Sequence, residues 1–410
     1  MIITVVIVLV IISAYFFQAV KTVTKNRVIL WGYWFFYIAL IGFLLYYMYG
    51  IGTSQSTATT IKITYWITGL MLLLILPKLI AIPVLMVEDL TRSVHYVINR
   101  FRRSRGTPEL TYYSEGRRKF ISQLALGIAA IPFTGMLWGI GKGRYDYKVH
   151  RVTIRFKDLP KAFHGFTITQ LSDIHAGSFG SVEDVERGIT LANEQKSDLF
   201  LFTGDLVNNF AYEMNDWKPT FSKFKARFGQ YSVMGNHDYG DYSRWESEEA
   251  KAENLQQIKN VHKDIGFRLL LDENLKIEKD GQHITLIGVE NWSKEEQHRY
   301  GNLNKATEGV NENDFKILMT HDPTHWDEEV LKHQQHIHLT LSGHTHGMQM
   351  GVEIPGFIKW SPAKYLYDQW AGLYEKKERY IYVNRGFGYI GYPGRVGILP
   401  EITVITLKGA

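Results

Sequence analysis

The chain has no cysteine in 410 residues. That excludes disulfides, thiolate nucleophiles and cysteine-ligated zinc. An oxidising compartment is compatible with this absence but not implied by it. Neither sign of charge dominates: 46 Lys and Arg stand against 41 Asp and Glu, a net of +5. Much of that small excess lies between Arg92 and Lys119, so it speaks of a membrane surface and not of nucleic acid. No nucleic-acid-binding motif is present. Residues 1–87 are largely apolar and aromatic, whereas the rest becomes mixed, charged and histidine-rich from about residue 145.

A spanning helix needs about 20 mostly apolar residues. Residues 2–20, 28–49 and 63–87 meet that requirement, and 120–140 is a fourth candidate diluted by Gly127, Pro132, Gly135 and Gly139. Trp31, Tyr33, Trp34, Tyr46 and Tyr47 lie near the ends of the second segment, where aromatic belts sit. Pro77, Lys78 and Pro83 are expected to kink or weaken the second half of the third. The reading is a transmembrane region of about four helices over residues 1–143, followed by one domain over 144–410. Few charges lie inside the spans, so no ion path of a transporter is evident.

Loop charge sets orientation. The first loop carries Lys21, Lys25 and Arg27, the second (Gly50–Lys62) only Lys62, and the third Arg92, Arg100, Arg102, Arg103, Arg105, Arg117, Arg118 and Lys119. The first and third loops are therefore expected in the cytoplasm, with the N-terminus and the C-terminal domain outside. If 120–140 does not cross, that domain stays inside. Arg117-Arg118-Lys119-Phe120-Ile121, ahead of a Gly- and Ala-rich apolar stretch, resembles a twin-arginine export signal, although three spans precede it here. Plain positive-inside flanking charge is the other reading, and both keep the arginines inside.

The remainder reads as short apolar strands that end in polar residues. His150–Phe156 alternates as an outer strand. Phe166–Leu171 runs into Ser172-Asp173-Ile174-His175, Asp198–Thr203 into Gly204-Asp205, and Tyr231–Met234 into Gly235-Asn236-His237-Asp238. Phe315–Met319 leads to Thr320-His321, and Ile337–Leu341 to Ser342-Gly343-His344-Thr345-His346. Helices are expected over Ser181–Lys196, with Ser181 as N-cap and Val182, Val185, Ile189 and Leu191 buried, and near Arg244–Ile265. Ligands gather outside strand ends in open α/β sheets, so five strands deliver oxygen and nitrogen donors to one rim. Neighbouring glycines permit tight turns there. Seven donors are available: Asp173, His175, Asp205, Asn236, His321, His344 and His346. Carboxylate, imidazole and amide oxygen suit zinc, manganese or iron, and seven is about the number that two catalytic ions need while leaving room for water and substrate.

Asp-x-His and Gly-Asp each recur by accident, and a single strand-end histidine is commonly structural. All five elements in this order are hard to explain as packing. The set resembles the calcineurin-like metallophosphoesterase superfamily over Asp173–His346. The resemblance implies a sandwich of two mixed sheets flanked by helices. It implies Asp173, His175 and His346 on a first metal, Asn236, His321 and His344 on a second, and Asp205 bridging them. It also implies His237 as catalytic histidine near the leaving group, with Asp238 orienting it. The tail, Asn384-Arg385-Gly386-x-Gly388, Tyr392-Pro393-Gly394-Arg395 and Pro400-Glu401-Ile402, resembles bacterial membrane-anchored, exported members. Arg395 reads either as a bidentate fork for substrate phosphate or as a loop arginine. Trp360 to Trp370, with Tyr365, Tyr367 and Lys364, suits an interfacial contact, an acyl-chain groove or an ordinary aromatic cluster.

The implied activity is dinuclear-metal hydrolysis of phosphate ester (a phosphodiesterase, for example) or pyrophosphate bonds, carried out by a multi-pass enzyme of the bacterial inner membrane with an extracytoplasmic catalytic domain. Its expected partners are the phospholipid membrane, a phosphorylated and lipid-linked or envelope substrate, and the twin-arginine export machinery. Two other readings compete. One is a cytoplasm-facing UDP-2,3-diacylglucosamine pyrophosphatase of lipid A synthesis, separated by the side on which the domain lies. The other is a non-catalytic receptor or scaffold, which usually loses ligands, whereas none of the expected ones is missing.

Overall fold

The computed structural model describes residues 2–53, 57–108, 110, 115–354 and 356–410. Residues 54–56 of the expected second loop, and 109 and 111–114 of the third, lie outside them. The chain divides into two compact units, Met1–Ser54 with Trp66–Trp138, and Gln55–Tyr65 with Gly139–Ala410.

The first unit is helical, in α1 (Ile2–Val23), α2 (Arg27–Thr53), α3 (Ala58–Ser104) and α4 (Glu115–Gly141). Among the described residues these four are long and apolar enough to cross a membrane. Segment 120–140 is continuous helix despite Pro132. The third segment differs from expectation: α3 has 47 residues with Pro77 and Pro83 inside it, about 70 Å of helix. The basic stretch expected as loop from Arg92 continues this helix. Arg92 pairs with Asp89 one turn back at 2.7 Å, a spacing that supports helix. Ala19, Ala81, Ala125 and Ala129 lie together with Phe16 and Leu85, small residues that let apolar helices approach closely. Lys78 is buried, its Nζ donating to Ser13 Oγ at 2.8 Å and lying over the rings of Tyr33 and Tyr37.

The second unit is built from two six-stranded sheets. The first holds β1 (Lys148–Phe156), β2 (Thr167–Leu171), β3 (Leu199–Phe202), β4 (Gln230–Ser232) and β5 (Arg268–Leu269). The second holds β6 (Glu273–Lys279), β7 (Gln282–Gly288), β8 (Lys316–Met319) and β9 (Leu339–Ser342). A separate hairpin follows, β10 (Val352–Ile354) and β11 (Ile358–Trp360), then β12 (Gly372–Lys376) and β13 (Arg379–Val383) of the second sheet, and β14 (Glu401–Gly409) of the first. The orders are β1-β14-β2-β3-β4-β5 and β12-β13-β9-β8-β7-β6. β2, β3, β4 and β5 pair parallel in sequence, as do β7, β8 and β9. β1 is an edge strand, as its alternation suggests.

Side-chain alternation explains the layers. In β3, Leu199 and Leu201 enter the core between the sheets with Ile168, Ile317, Met319, Leu339 and Leu341. Phe200 and Phe202 face the other way, into a second core under α5 (Val182–Asn193) and α7 (Glu248–Asp264), where Val185, Ile189, Ile258 and Val261 pack; the one-turn α6 (Lys218–Phe221) adds Phe221. Strands buried on both faces read as unbroken apolar runs. Ser181 Oγ caps α5 by accepting from Asp184 N at 3.2 Å. Val182, expected on its buried side, is exposed, because the inward stripe is Val185, Ile189 and Ala192.

The parallel strands all run the same way, so β2, β3, β4, β8 and β9 release their following residues at one edge. Main-chain bonds join these loops: Asp173 N to Gly204 O at 2.9 Å, and Gly343 N to His321 O at 2.9 Å. Gly388 closes over them, its N–H on Asp173 O at 2.8 Å, and a Cβ there would lie 1.8 Å from Ile174 O. The obstacle is backbone and cannot swing away. Gly388→Ala is therefore expected to destabilise the purified protein by about 1–3 kcal/mol or more, seen as a lower thermal midpoint. Gly180→Ala, with nothing within 4 Å of the new methyl, is expected to stay within about 0.5 kcal/mol.

Candidate metal centre

The seven donors expected from the sequence converge at this edge. One ligand atom from each of Asp173, His175 and His346 lies within 4.8 Å of the others, and the same holds for Asp205, His321 and His344. Asp205 stands between the groups: its Oδ2 is 3.5 Å from His175 Nε2 and 3.1 Å from His321 Nε2. Asn236 Oδ1 joins the second group, 2.9 Å from His344 Nδ1. Six of the seven are buried, with His344 partly open.

The backbone is bent to reach this arrangement. Asp173, His175, Asp205, His344 and His346 all have positive φ, at 54°, 50°, 60°, 71° and 50°. Such conformations cost about 1–3 kcal/mol each, and they cluster where function over-determines them. The donors are oriented from behind. His321 Nδ1 lies 2.7 Å from Thr203 O, which leaves Nε2 toward Asp205. His344 N–H reaches both Asp173 oxygens at 3.0 Å. Tyr367 Oη sits 3.0 Å from His344 Nε2.

These residues fit a pair of divalent cations. His175 Nε2 and His346 Nε2 face each other at 3.0 Å, and His344 Nδ1 faces His321 Nε2 at 3.3 Å. Opposed imidazole lone pairs beside carboxylates call for positive charge between them. Burial holds His175 and His346 below the usual histidine range. Burial would raise Asp173, but His346 and His321 outweigh it and hold its carboxyl down. At His321 burial opposes the charged form, yet Asp205 overcomes it and lifts the ring to about 10. The pocket thus keeps Asp173 and Asp205 ionised, and a cation would take the place of the proton that Asp205 holds on His321, since deprotonated ligands are the form that binds metal.

His237 stands beside this set. Its Nδ1 is 2.8 Å from Asn208 O, and its ring stacks on Tyr242 at 4.4 Å. Burial lowers its pKa against the pull of Asp205. One expectation changes here, and one of two alternatives is favoured. Asp238 does not orient His237. Its Oδ1 accepts from Leu206 N and Val207 N at 2.8 and 3.2 Å, and its Oδ2 from Asp205 N and Gly235 N at 3.0 and 2.9 Å. It binds two metal-ligand loops together, and the Asn208 carbonyl does the orienting. Arg395 is not an arm into the site. It is fully buried, with Nε on Gly388 O at 2.8 Å and Nη2 3.0 Å from His346 Nδ1. No free fork remains for phosphate.

Sequence reading missed Asn208, Glu213, Tyr242 and Tyr367 as site residues. Asn208 acts through its carbonyl, which no residue type announces. Glu213 takes the N–H groups of Asn208, Asn209 and Phe210 at 2.6, 3.2 and 3.2 Å from a loop without a motif. Tyr242 receives Asn236 Nδ2 at 2.8 Å and carries no spacing signal. Only Tyr367 lay in a stretch that the sequence marked.

Comparison with known proteins yields two family matches. Residues 1–144 match a probable calcineurin-like phosphoesterase transmembrane domain, and residues 166–348 match calcineurin-like phosphoesterase. The chain is 31% identical over 303 residues to the uncharacterized metallophosphoesterase YkuE of Bacillus subtilis, covering 71% of this chain and 97% of that protein. It is 27% identical over 315 residues to a transmembrane protein with metallophosphoesterase domain of Danio rerio, covering 75% and 67%. Phosphodiesterase YaeI of Escherichia coli is 26% identical over 295 residues, covering 71% and 98%.

Metal analysis of the purified chain is expected to find about two divalent ions, in line with a two-metal site. Arg395→Met is expected to weaken metal binding about 10–100-fold, the usual effect of losing a group behind a ligand, in a manganese titration. A rise in KM with metal affinity unchanged would instead mark Arg395 as a substrate arm. Asp238→Asn is expected to lower metal content too, since an amide nitrogen cannot accept the N–H groups that bind the Asp205 loop.

Proposed function

The chain belongs to the calcineurin-like phosphoesterase family, as a membrane-associated, metal-dependent phosphoric ester hydrolase, and on that premise we propose that it cleaves phosphate ester or pyrophosphate bonds of lipid-linked or other cell-envelope molecules. The observation that carries the reading is the pair of donor groups sharing Asp205, with His237 fixed at their side. In this reading Asp173, His175 and His346 hold one ion and Asn236, His321 and His344 the other, with manganese, zinc or iron suited to the donors. Bound there, such ions supply Lewis acidity toward phosphoryl oxygens and acidify water. Asp205 and Asp173 stay ionised and keep the two donor groups facing each other. Asn208 O fixes the Nδ1–H of His237, so Nε2 is the nitrogen that meets the leaving oxygen. An anionic substrate raises the pKa of a nearby histidine, so His237 gains its proton at Nε2 as substrate enters, then donates it as the bond breaks. Tyr242 holds the ring plane.

The lipid-linked class is supported by the four apolar helices and the transmembrane-domain match. The basic residues at the end of α3 and Arg117-Arg118 at the start of α4 support an outward domain in a bacterial inner membrane, and that pair also motivates twin-arginine export. No ligand of the expected set is missing, which speaks against a non-catalytic scaffold.

His237→Ala is expected to reduce cleavage of an alkyl phosphodiester by about 10²–10⁴-fold, the usual worth of general acid catalysis, with metal content kept. A nitrophenyl ester, whose leaving group needs little acid help, is expected to lose much less. Protease added to intact spheroplasts is expected to trim the region after Gly143. Full protection until the membrane is broken would place the domain inside, and would favour a UDP-linked lipid precursor as substrate.

A further inference from the structure

The β10–β11 hairpin presents its polar and apolar sides the wrong way round for a surface in water. Its register pairs Val352 with Trp360, Glu353 with Lys359, and Ile354 with Ile358. Successive strand side chains point to opposite faces, so the charged central pair shares one face and the two apolar pairs the other. The charged pair faces the protein. Glu353 receives Arg385 Nε and Nη2 at 3.0 and 2.7 Å. Lys359 Nζ turns to Ala371 O and lies 5.0 Å from the Trp370 ring centre. The apolar pairs are exposed, and Phe357 at the turn is 85% exposed. Tyr365 and Leu366, just after the hairpin, are exposed at 71% and 66%. Apolar clusters of this kind mark binding surfaces.

The root of the hairpin says what covers it. Met350 bridges Val396, and Gly351 N–H bonds to Val396 O at 2.9 Å. Gly139, in the last turn of α4, packs on the same stretch: Arg395 N–H reaches Gly139 O at 3.3 Å, and a Cβ on Gly139 would lie 2.7 Å from Val396 Cγ2. One strand of chain, Arg395–Val396, therefore touches both the end of an apolar helix long enough to span a bilayer and the base of the hairpin. Trp, Tyr and Phe beside an exposed Lys364 are the composition of a membrane interface.

We propose that the β10–β11 hairpin inserts its Val352, Ile354, Phe357, Ile358 and Trp360 side chains into the lipid surface of the membrane that anchors the chain. The Glu353–Arg385 salt bridge and the Lys359 bond to Ala371 O hold the two hairpin strands to the protein, so insertion costs little ordering of them. The same segment is tied to the metal centre: Ser361 Oγ donates to Gly347 O at 2.6 Å, Thr345 Oγ1 to Trp370 O at 2.7 Å, and Tyr367 lies against His344. Seating the hairpin thus sets the His344–His346 rim beside lipid phosphates. This consequence for substrate rests on the lipid-linked reading above, whereas the insertion itself does not.

The lack of native cysteine permits a direct test. Phe357→Cys, carrying a polarity-sensitive fluorophore, is placed in the full chain and reconstituted into phosphatidylcholine–phosphatidylglycerol vesicles, with Glu253→Cys on α7 as an exposed control. The expected result is a blue-shifted label at 357, quenched by spin labels on the acyl chains and shielded from iodide on both sides of the membrane. The depth expected is about 5–10 Å into the headgroup–acyl boundary. The control is expected to remain open to iodide. Iodide quenching at 357 equal to the control would overturn the proposal. So would shielding from both quenchers, which would mean that protein, such as a second copy, covers the patch. Unchanged metal content and unchanged cleavage of a soluble nitrophenyl ester certify folding. The quenching is read without substrate, so its failure leaves the reading of the reaction standing, and a wrong substrate class leaves the quenching unaffected.

Discussion

One oxygen of Asp205 lies 3.5 Å from the His175 ring nitrogen and 3.1 Å from that of His321, and much of the second unit serves to keep it there. A buried carboxylate is costly unless it is paired and hydrogen-bonded. Asp205 meets that requirement with the ring nitrogens on one side and His237 N–H on the other, at 2.9 Å. Its own backbone is held by Asp238, which accepts four N–H groups from the loops after β3 and β4. Moving any of these loops moves the carboxylate, and with it the spacing of the two donor groups. The five left-handed ligand residues belong to the same constraint. Their conformations are unfavourable alone and persist because the crossing main-chain bonds of neighbouring strand ends leave no alternative.

The layers around the site follow from the same need. Parallel strands put their C-terminal ends on one side, and a core on each face makes those strands rigid. α5 and α7 cover the outer face of the first sheet, while Gly388 and buried Arg395 close the edge from behind. The arginine's permanent charge lies behind His346, so it helps to keep that imidazole neutral without touching substrate. The open side is lined by Tyr242, Tyr367 and His237, each fixed by a partner before any substrate arrives. Preorganised groups of this sort need little rearrangement in the transition state.

The hairpin extends this economy to the membrane. A hairpin that turns its Glu353–Arg385 ion pair inward and its apolar side chains outward suits a place where water is scarce. Its root touches the end of α4, and its continuation supports His344. The hairpin proposed to meet the membrane and the rim carrying His344 and His346 therefore belong to one stretch of chain, residues 344–370. A chain fixed to the bilayer by helices has a limited choice of substrate position, and an apolar hairpin seated in the same bilayer would narrow it further.

Much of this was legible in the order of residues. Apolar runs of spanning length marked α1 to α4, because the hydrocarbon thickness sets a length that composition reveals. Strand ends carrying Asp, His and Asn marked the residues that the fold gathers at one edge, with His237 beside them, because metal chemistry restricts residue type and glycine marks the tight turns. What Asp238 and Arg395 do was not legible. A carboxylate beside a catalytic histidine and an arginine in a glycine loop each have several possible neighbours, and only the folding of distant strands selects among them. Asn208 left no trace, since its contribution is a main-chain carbonyl that every residue possesses. The length of α3 was hidden by charge: a basic segment reads as loop until the helix before it is seen to continue. The aromatic stretch near residue 365 was noticed, but which side chains face water depends on Glu353 finding Arg385, a partner 32 residues away. The sequence by itself determined chemical identity and local periodicity, because these depend on residue type and spacing. The tertiary structure decided orientation, burial and partnership, because those depend on which remote segments the two sheets bring into contact.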